Sequence, residues 1–272
     1  MSYDLKRHLP GITSSLLLPL YIRARETQRP NGLIKDEYAL ELINRLGVDS
    51  TDFSRADISE EVQVSILLRS RQFDRISGDY LNNHPEAAVV YIGCGLDARF
   101  ERVDNGKVEW FDLDLPEVIS LRGELMPSKC GRHHLLADSV LDFSWMDEVS
   151  SVKSRPFLFM AEGVFMFFSG DQVRRLVLKL KEIFPNSELV FDAFSPFYVW
   201  GNNRRVKRTG IGSITEWALR SGKELETWDK GISLISSWYP FLCPEPRLAH
   251  IRWARFIPIL AKTTGVFHYK LG

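Results

Sequence analysis

Acidic residues stand at regular stations along the middle of this 272-residue sequence, each near the end of a short apolar run: Asp97, Asp112, Asp114, Asp138, Glu162 and Asp192. The first of them follows Gly93-Cys94-Gly95, a turn in which glycine lets the backbone bend tightly or approach a ligand without a Cβ in the way. Carboxylates gathered at one rim repel one another, so they favour a ligand rich in hydrogen-bond donors or one that carries positive charge. One base belongs with them. Arg69 falls on the same helical stripe as Val62, Ile66, Phe73, Ile76 and Tyr80. A guanidinium cannot shed its charge, so at a core-facing position it should meet a core carboxylate or another anion, or else reach out to solvent.

The elements that must position these groups follow from pattern. Apolar runs at 87–93, 107–114, 133–138, 156–163 and 188–194 read as strands, and helices are expected at 96–102, 116–125, near Trp145 and at 171–184. Near-continuous apolar strands alternating with helices argue for a parallel sheet covered on both faces. In such a sheet ligands bind at the carboxyl ends of the strands, where every acid named above falls. Before the first strand, helices are expected at 13–28, at 36–46 with Gly47 as its stop, and at 58–81. After the last, the basic run Arg204, Arg205, Lys207, Arg208 reads as a solvated loop. A helix is expected around 216–220, an apolar stretch at 232–241, a helix from Arg247 and a final strand at 266–271.

The glycine turn discriminates between cofactors. A dinucleotide site needs a third glycine and a helix N-terminus free for pyrophosphate. Here the turn reads Gly-Cys-Gly-Leu-Asp-Ala, and an acid at Asp97 opposes a phosphate. S-adenosylmethionine has no phosphate. It offers ribose hydroxyls, an adenine amine, an α-amino group, an α-carboxylate and a sulfonium, so a rim of acids with one arginine has a use for each part.

The segments YIGCGLDARF, WFDLDLP, LLADSVLD and FMAEGVFMFF, in that order, resemble the leucine carboxyl methyltransferase family, and within it the bacterial branch related to polyketide O-methyltransferases. LYIRARETQRPNGLIKDEYA and TEWALRSGKELETWDKGISLI are similar to that branch as well. The resemblance implies an α/β class I methyltransferase fold, a Rossmann-like three-layer sandwich. Its sheet has seven strands, mostly parallel, with VFHYKL reversed, and it carries an N-terminal helical extension and a lid insertion. On this reading residues 1–272 form one domain, divided into an extension (1–85), a donor-binding core (86–195) and a lid with the final strands (196–272). The resemblance also implies S-adenosylmethionine as cofactor. Arg69 and Gly93 become donor ligands, with Gly95 as companion, Asp114 or Asp112 on the ribose, Asp138 and Ser139 at the adenine, and Glu162 after the fourth strand. Arg23, or else Arg25, is the basic residue of the N-terminal helix that meets the donor carboxylate. Two departures stand out: Ala98 replaces a threonine common in the family's turn, and Trp217-Ala218 stands where the branch tends to have Trp-Gly.

Composition narrows the partners. Lys+Arg and Asp+Glu balance at 35 each, so no bulk field draws the chain to nucleic acid or to a membrane, and a small-molecule acceptor is expected. Cys94, Cys130 and Cys243 are far apart, which suits a reducing cytoplasm. The first residues carry only a short apolar run broken by Pro19, with no span or cleavage site. His133 and His134 are neighbours on a strand and face opposite ways, so no metal site is expected. For a phenol acceptor, Glu162, His133 or His134 are candidate bases, and no catalytic residue stands out. Phe165, Phe167, Phe168, Phe197, Tyr198 and Trp200 are candidates for the acceptor pocket. The expected activity is methyl transfer to a hydroxyl or carboxylate of a small molecule. The alternatives are a protein C-terminal carboxyl methyltransferase and a nucleoside-binding module without turnover.

Overall fold

The computed structural model describes residues 13–48, 58–128, 130–152, 155–210 and 212–272. The reading of the first twelve residues therefore lies outside the described part. Seven strands form one sheet: β1 (Ala88–Ile92), β2 (Glu109–Asp114), β3 (His133–Ala137), β4 (Phe157–Ala161), β5 (Ser187–Phe194), β6 (Ile232–Trp238) and β7 (Thr264–Leu271). Their spatial order is β3-β2-β1-β4-β5-β7-β6. The first five run parallel, and β7 is antiparallel to both β5 and β6. The reversed strand is VFHYKL, as the resemblance implied.

Helices cover both faces: α1 (Thr13–Thr27), α2 (Glu37–Leu46), α3 (Glu60–Asn83), α4 (Arg99–Val103), α5 (Pro116–Leu125), α6 (Trp145–Val149), α7 (Gly170–Ile183), α8 (Pro196–Thr209) and α9 (Pro258–Ala261). The period of two along β1 sorts its residues between the layers. Val90 and Ile92 pack with Val173 and Leu176 of α7, whereas Val89 and Tyr91 pack with Phe73, Ile76 and Tyr80 of α3. Local signals set the helix ends. The Asp36 side chain accepts from Ala39 N at 2.9 Å, and Gly47 closes α2 at φ 64°. Ser169 and Gln172 form a reciprocal capping box on α7.

Three expectations need correction. The core stripe of α3 holds for Phe73, Ile76 and Tyr80, but Val62 is 44% exposed. The first half of this helix buries Val64, Leu67 and Leu68 instead, because it packs on Ile22 of α1, on Leu248 and on Trp238 at the end of β6. The basic run at 204–208 is helical, forming the last turns of α8, and Gly210 ends that helix at φ 68°. Residues 216–220 are extended rather than helical. Thr215, Trp217 and Leu219 are buried alternately, the period of a strand, and Leu219 N donates to Phe194 O at 3.0 Å. The segment from Arg247 is a 3₁₀ helix spanning Pro246–Phe256.

Candidate active site

A cavity of about 420 Å³ opens at the carboxyl ends of β1, β2, β3 and β4. Arg23, Arg69, Gly93, Gly95, Asp114, Asp138, Ser139 and Glu162 all line it. Those eight come from α1, α3 and the ends of four strands, so the fold gathers residues that are up to 139 positions apart in sequence. Of the donor-binding residues expected there, Asp112 is the one left out.

The glycine turn is latched to the neighbouring strand. Gly93 N donates to Leu113 O at 2.7 Å, and Gly95 N donates to Asp114 Oδ2 at 2.8 Å. Gly93 sits at φ 66°, where a Cβ would stand 2.2 Å from Val164 Cγ2. Glycine is therefore required by the packing of the turn itself. Asp114 also accepts from Leu115 N at 2.8 Å. Each of its oxygens keeps a lone pair, so it can still take two hydroxyl donors from a ligand. Burial pushes this carboxyl above its ordinary value, against the pull of those backbone donors.

Asp112 does not reach the cavity. Arg122 Nη2 lies 2.5 Å from its Oδ2, His133 Nε2 lies 2.7 Å from the same oxygen, and Trp110 Nε1 donates to Oδ1 at 2.8 Å. Alternation puts both carboxylates on one face of β2, and position along the strand separates them: Asp112 lies two residues back, buried against Arg122 and His133, and Asp114, the last residue of the strand, reaches the cavity. Arg122 also donates from Nη1 to Gly95 O at 3.0 Å, so Asp112 supports the turn through a second residue.

Behind the cavity lies a chain of buried ion pairs. Arg69 donates from Nε to Glu162 Oε1 at 3.0 Å and from Nη1 to Asp192 Oδ2 at 2.9 Å. Its Nη2 lies 3.4 Å from where a Cβ on Gly163 would be, at a position with φ 72°. Arg99, with no exposed surface, meets Asp74 at 2.7 Å, Asp97 at 3.2 Å and Glu162 at 2.5 Å. Arg102 meets Asp36, Asp74 and Asp97, and Arg23 meets Asp36 at 2.9 Å. Burial alone would raise the Asp97 carboxyl, yet Arg102, Arg23 and Arg99 together hold it well below the usual range. Asp192 differs: burial outweighs its single arginine and pushes it up.

Arg25, the other basic candidate on α1, is exposed over the Tyr21 ring. His133 is held by Asp112 and His134 by Glu109, and neither lines the cavity. Phe167 and Phe168 line it, whereas Phe165 is core and Phe197 and Trp200 are exposed. Cys94 also lines it, buried, with its thiol pushed up by that burial. Sequence reasoning misses Arg99, Arg122, Asp36 and Asp74. The available signal is charge at helix positions flanked by apolar neighbours, as with Arg122 between Leu121 and Leu125.

Residues 17–181, more than half of the chain, match the leucine carboxyl methyltransferase family. The chain belongs to that family. S-adenosylmethionine is the cofactor of this methyltransferase. The tetracenomycin polyketide synthesis O-methyltransferase TcmP of Streptomyces glaucescens is 29% identical over 245 residues, covering 90% of this chain and 88% of the relative. An S-adenosyl-L-methionine-dependent methyltransferase of Gibberella zeae, dpfgK, is 26% identical over 266 residues, with 90% and 87% covered. The crystal structure of a DUF574 family protein from Streptomyces avermitilis superposes with a TM-score of 0.59 at 14% identity, over 92% of this chain and 96% of that one.

The residues present fit the cofactor. The cavity volume is within the range of small-molecule sites. Its wall divides into hydrogen-bond acceptors at Asp114 and Asp138, cations at Arg23 and Arg69, and an apolar part at Leu16, Pro19, Val164, Met166, Phe167 and Phe168. Among the described residues, no helix is long and apolar enough to cross a membrane.

Proposed function

We propose that this methyltransferase transfers the methyl group of S-adenosylmethionine to an oxygen, a hydroxyl in preference to a carboxylate, of a small apolar acceptor. The observation that carries this reading is the pairing of both cavity arginines with acids: Arg23 with Asp36, and Arg69 with Glu162 and Asp192. Neither is free to serve as a second carboxylate clamp for an acceptor once one of them has met the donor's carboxylate. The acceptor side is then left to Leu16, Pro19, Met166, Phe167 and Phe168.

The bound cofactor supplies a methyl group activated by a positively charged sulfur. The chain's residues take separate parts. Asp114 accepts from the two ribose hydroxyls. Asp138, whose Oδ2 receives a hydrogen bond from Ser144, sits with Ser139 at the adenine end. Arg69 offers Nη2 to the carboxylate while Glu162 and Asp192 fix its plane, and Arg23 stands behind Asp97 on the same side. Gly93 and Gly95 bring backbone close to the amino-acid end. Met166, Phe167 and Phe168 exclude water and align the acceptor, which is how much of the rate of a displacement of this kind arises. The aromatic faces also favour the cationic sulfur. Full-length similarity to an O-methyltransferase of polyketide synthesis supports an oxygen acceptor.

The test is calorimetric titration with S-adenosylhomocysteine, followed by transfer of a labelled methyl group to a panel of phenols, alcohols, small carboxylic acids and peptides. Binding, with label moving to phenols or alcohols, is expected. Absence of binding, or label moving only to peptide C-termini, overturns the reading.

A further inference from the structure

Two surface segments meet beside the carboxyl edge of the sheet, and both combine cations and exposed apolar side chains without acids. α8 leaves β5 at Pro196, and the Pro246–Ala261 segment returns to β7 at Thr264. They are tied at that point: Ser195 N donates to Thr263 O at 2.9 Å, and Phe194 pairs with Thr264. Neither residues 196–210 nor residues 246–262 contain a single aspartate or glutamate. On the first stand Arg204, Arg205, Lys207 and Arg208, and on the second Arg252, Arg255 and Lys262, none ion-paired among the described residues. The chain as a whole is neutral, so the rest of the molecule carries the matching excess of acid.

The apolar side chains interleaved with these cations are exposed. Trp200 is 62%, Trp253 57%, Phe256 73% and Ile259 53% exposed, and Phe197 and Ile257 are exposed with them. Isolated exposed apolar residues are ordinary, but six on two segments that join at Ser195 and Thr263 mark a contact surface. Arg204 lies over the Trp200 ring at 5.7 Å and Arg255 over the Phe256 ring at 4.7 Å, so aromatic and cation project together. The surface is anchored from beneath. Leu248 is buried against Val64 and Leu68, and Arg247 binds Glu26 at 2.9 Å, so the segment is fixed while its outer side chains stay free.

We propose that this face is a docking surface for an anionic lipid bilayer. Charge complementarity chooses the partner class, since unpaired cations without acids attract anionic headgroups. The interleaved Trp, Phe and Ile choose lipid over nucleic acid: they have an acyl boundary to enter, where rings sit at headgroup level with basic residues around them. The neutral net charge of the chain conceals the feature, because the opposite charge lies elsewhere on the molecule. Phe167, at the mouth of the cavity, is exposed at the same edge of the sheet, so docking would place that mouth beside the bilayer.

Flotation of the full chain with vesicles of phosphatidylcholine alone, or with phosphatidylglycerol added, tests this directly. Binding is expected only with the anionic lipid, weakening as salt rises. Arg252→Gln combined with Arg255→Gln should lower the partition coefficient roughly thirtyfold, about fivefold per cation. Trp253→Ser combined with Phe256→Ser should weaken binding and reduce the blue shift of tryptophan emission to the part Trp200 supplies, while thermal melting in solution stays unchanged for both variants. Three results overturn the proposal: no association of the wild-type chain with anionic vesicles, lipid binding indifferent to both pairs of substitutions, or tight binding to duplex DNA that survives Trp253→Ser with Phe256→Ser. A salt-sensitive dimer that dissolves on those same substitutions, without vesicle binding, assigns the face to a second copy and overturns it too.

Discussion

Arginine does two different jobs in this molecule. Around the cavity, Arg69, Arg99, Arg102 and Arg122 are buried or nearly so, and each meets one or more carboxylates within 3.0 Å. On α8 and the Pro246–Phe256 segment, Arg204, Arg208, Arg252 and Arg255 are exposed and meet none among the described residues. The first group cannot be removed without leaving charge behind in a low-dielectric setting, whereas the second can be removed into water at little cost. The contrast is one of solvation, and it says where a substitution will be felt as stability, where as donor affinity, and where as neither.

The largest expected effect is on stability. Arg99 joins Asp74, Asp97 and Glu162, and Arg99→Ala leaves three buried carboxylates without their shared partner. Breaking one buried pair typically costs about 3–5 kcal/mol, and that is the loss expected here in urea unfolding. A loss below about 1 kcal/mol would break the comparison, because Arg99 would then behave like a surface residue.

Arg69→Ala should cost donor affinity as well. Of the two acids that hold it, Asp192 on β5 would lose its arginine and Glu162, just after β4, would keep only Arg99, so their charge would oppose the donor carboxylate. S-adenosylhomocysteine affinity should fall by roughly a hundredfold, the range for deleting a charged hydrogen-bond donor from a buried site. Arg69→Lys should recover only a small part, since a point charge cannot span Glu162 and Asp192 while offering a third donor. Unchanged affinity in Arg69→Ala would make the residue structural only.

The sheet and the rim are legible in sequence because their signals are local. Apolar runs ending in Gly93, Asp114, Asp138 and Glu162 state the strand and its carboxyl end in one stretch, and a parallel sheet then gathers those ends. Asp112 cannot be separated from Asp114 by pattern alone. Both lie on one face of β2, so the choice between them depends on how far along the strand Arg122 reaches, and that arginine lies on another element. The ion-pair chain is hidden for the same reason, since Asp36, Asp74 and the Arg99–Arg102 pair of α4 come from three separate places in sequence. The outer segments mislead through a local signal that is incomplete. Arg204 to Arg208 resemble a loop because little that is apolar accompanies them, and the helix they belong to is anchored by Val206 and by its cap at Ser195, which accepts from Tyr198 N.

Asp114→Asn sharpens the comparison from the acid side. It keeps the shape and one acceptor oxygen but turns the other position into a donor facing the ribose hydroxyls. A loss of about ten- to thirtyfold in S-adenosylhomocysteine affinity is expected, at the low end for a hydrogen bond to a charged group. The same carboxyl sets a pH dependence. Burial raises it above its ordinary value of 3.8, so it takes up a proton earlier than a free aspartate as pH falls. Only the ionised form accepts from both hydroxyls, so donor affinity should be level at neutral pH and decline as pH drops through that raised value. Asp97 should not contribute to that decline, because its arginines hold it low. An affinity that holds steady until pH falls below the ordinary aspartate range would remove Asp114 from the ribose.

The smallest expected effect lies on the outer face, and it is the one that tests whether exposure rather than residue type decides. Arg204 lies over the exposed Trp200 ring and has no carboxylate partner among the described residues. Arg208, one turn later in α8, is exposed near the C-terminal end of the helix, where a cation is favoured by the helix dipole by about 0.3–1 kcal/mol at low salt. Arg204→Gln should therefore change unfolding stability by no more than about 0.5 kcal/mol. Arg208→Gln should lose a few tenths of a kcal/mol at low salt and nothing at high salt, where the dipole is screened. A loss of several kcal/mol from either would show that α8 is tied to a carboxylate, and the division between buried and exposed arginines would then fail on its weaker side.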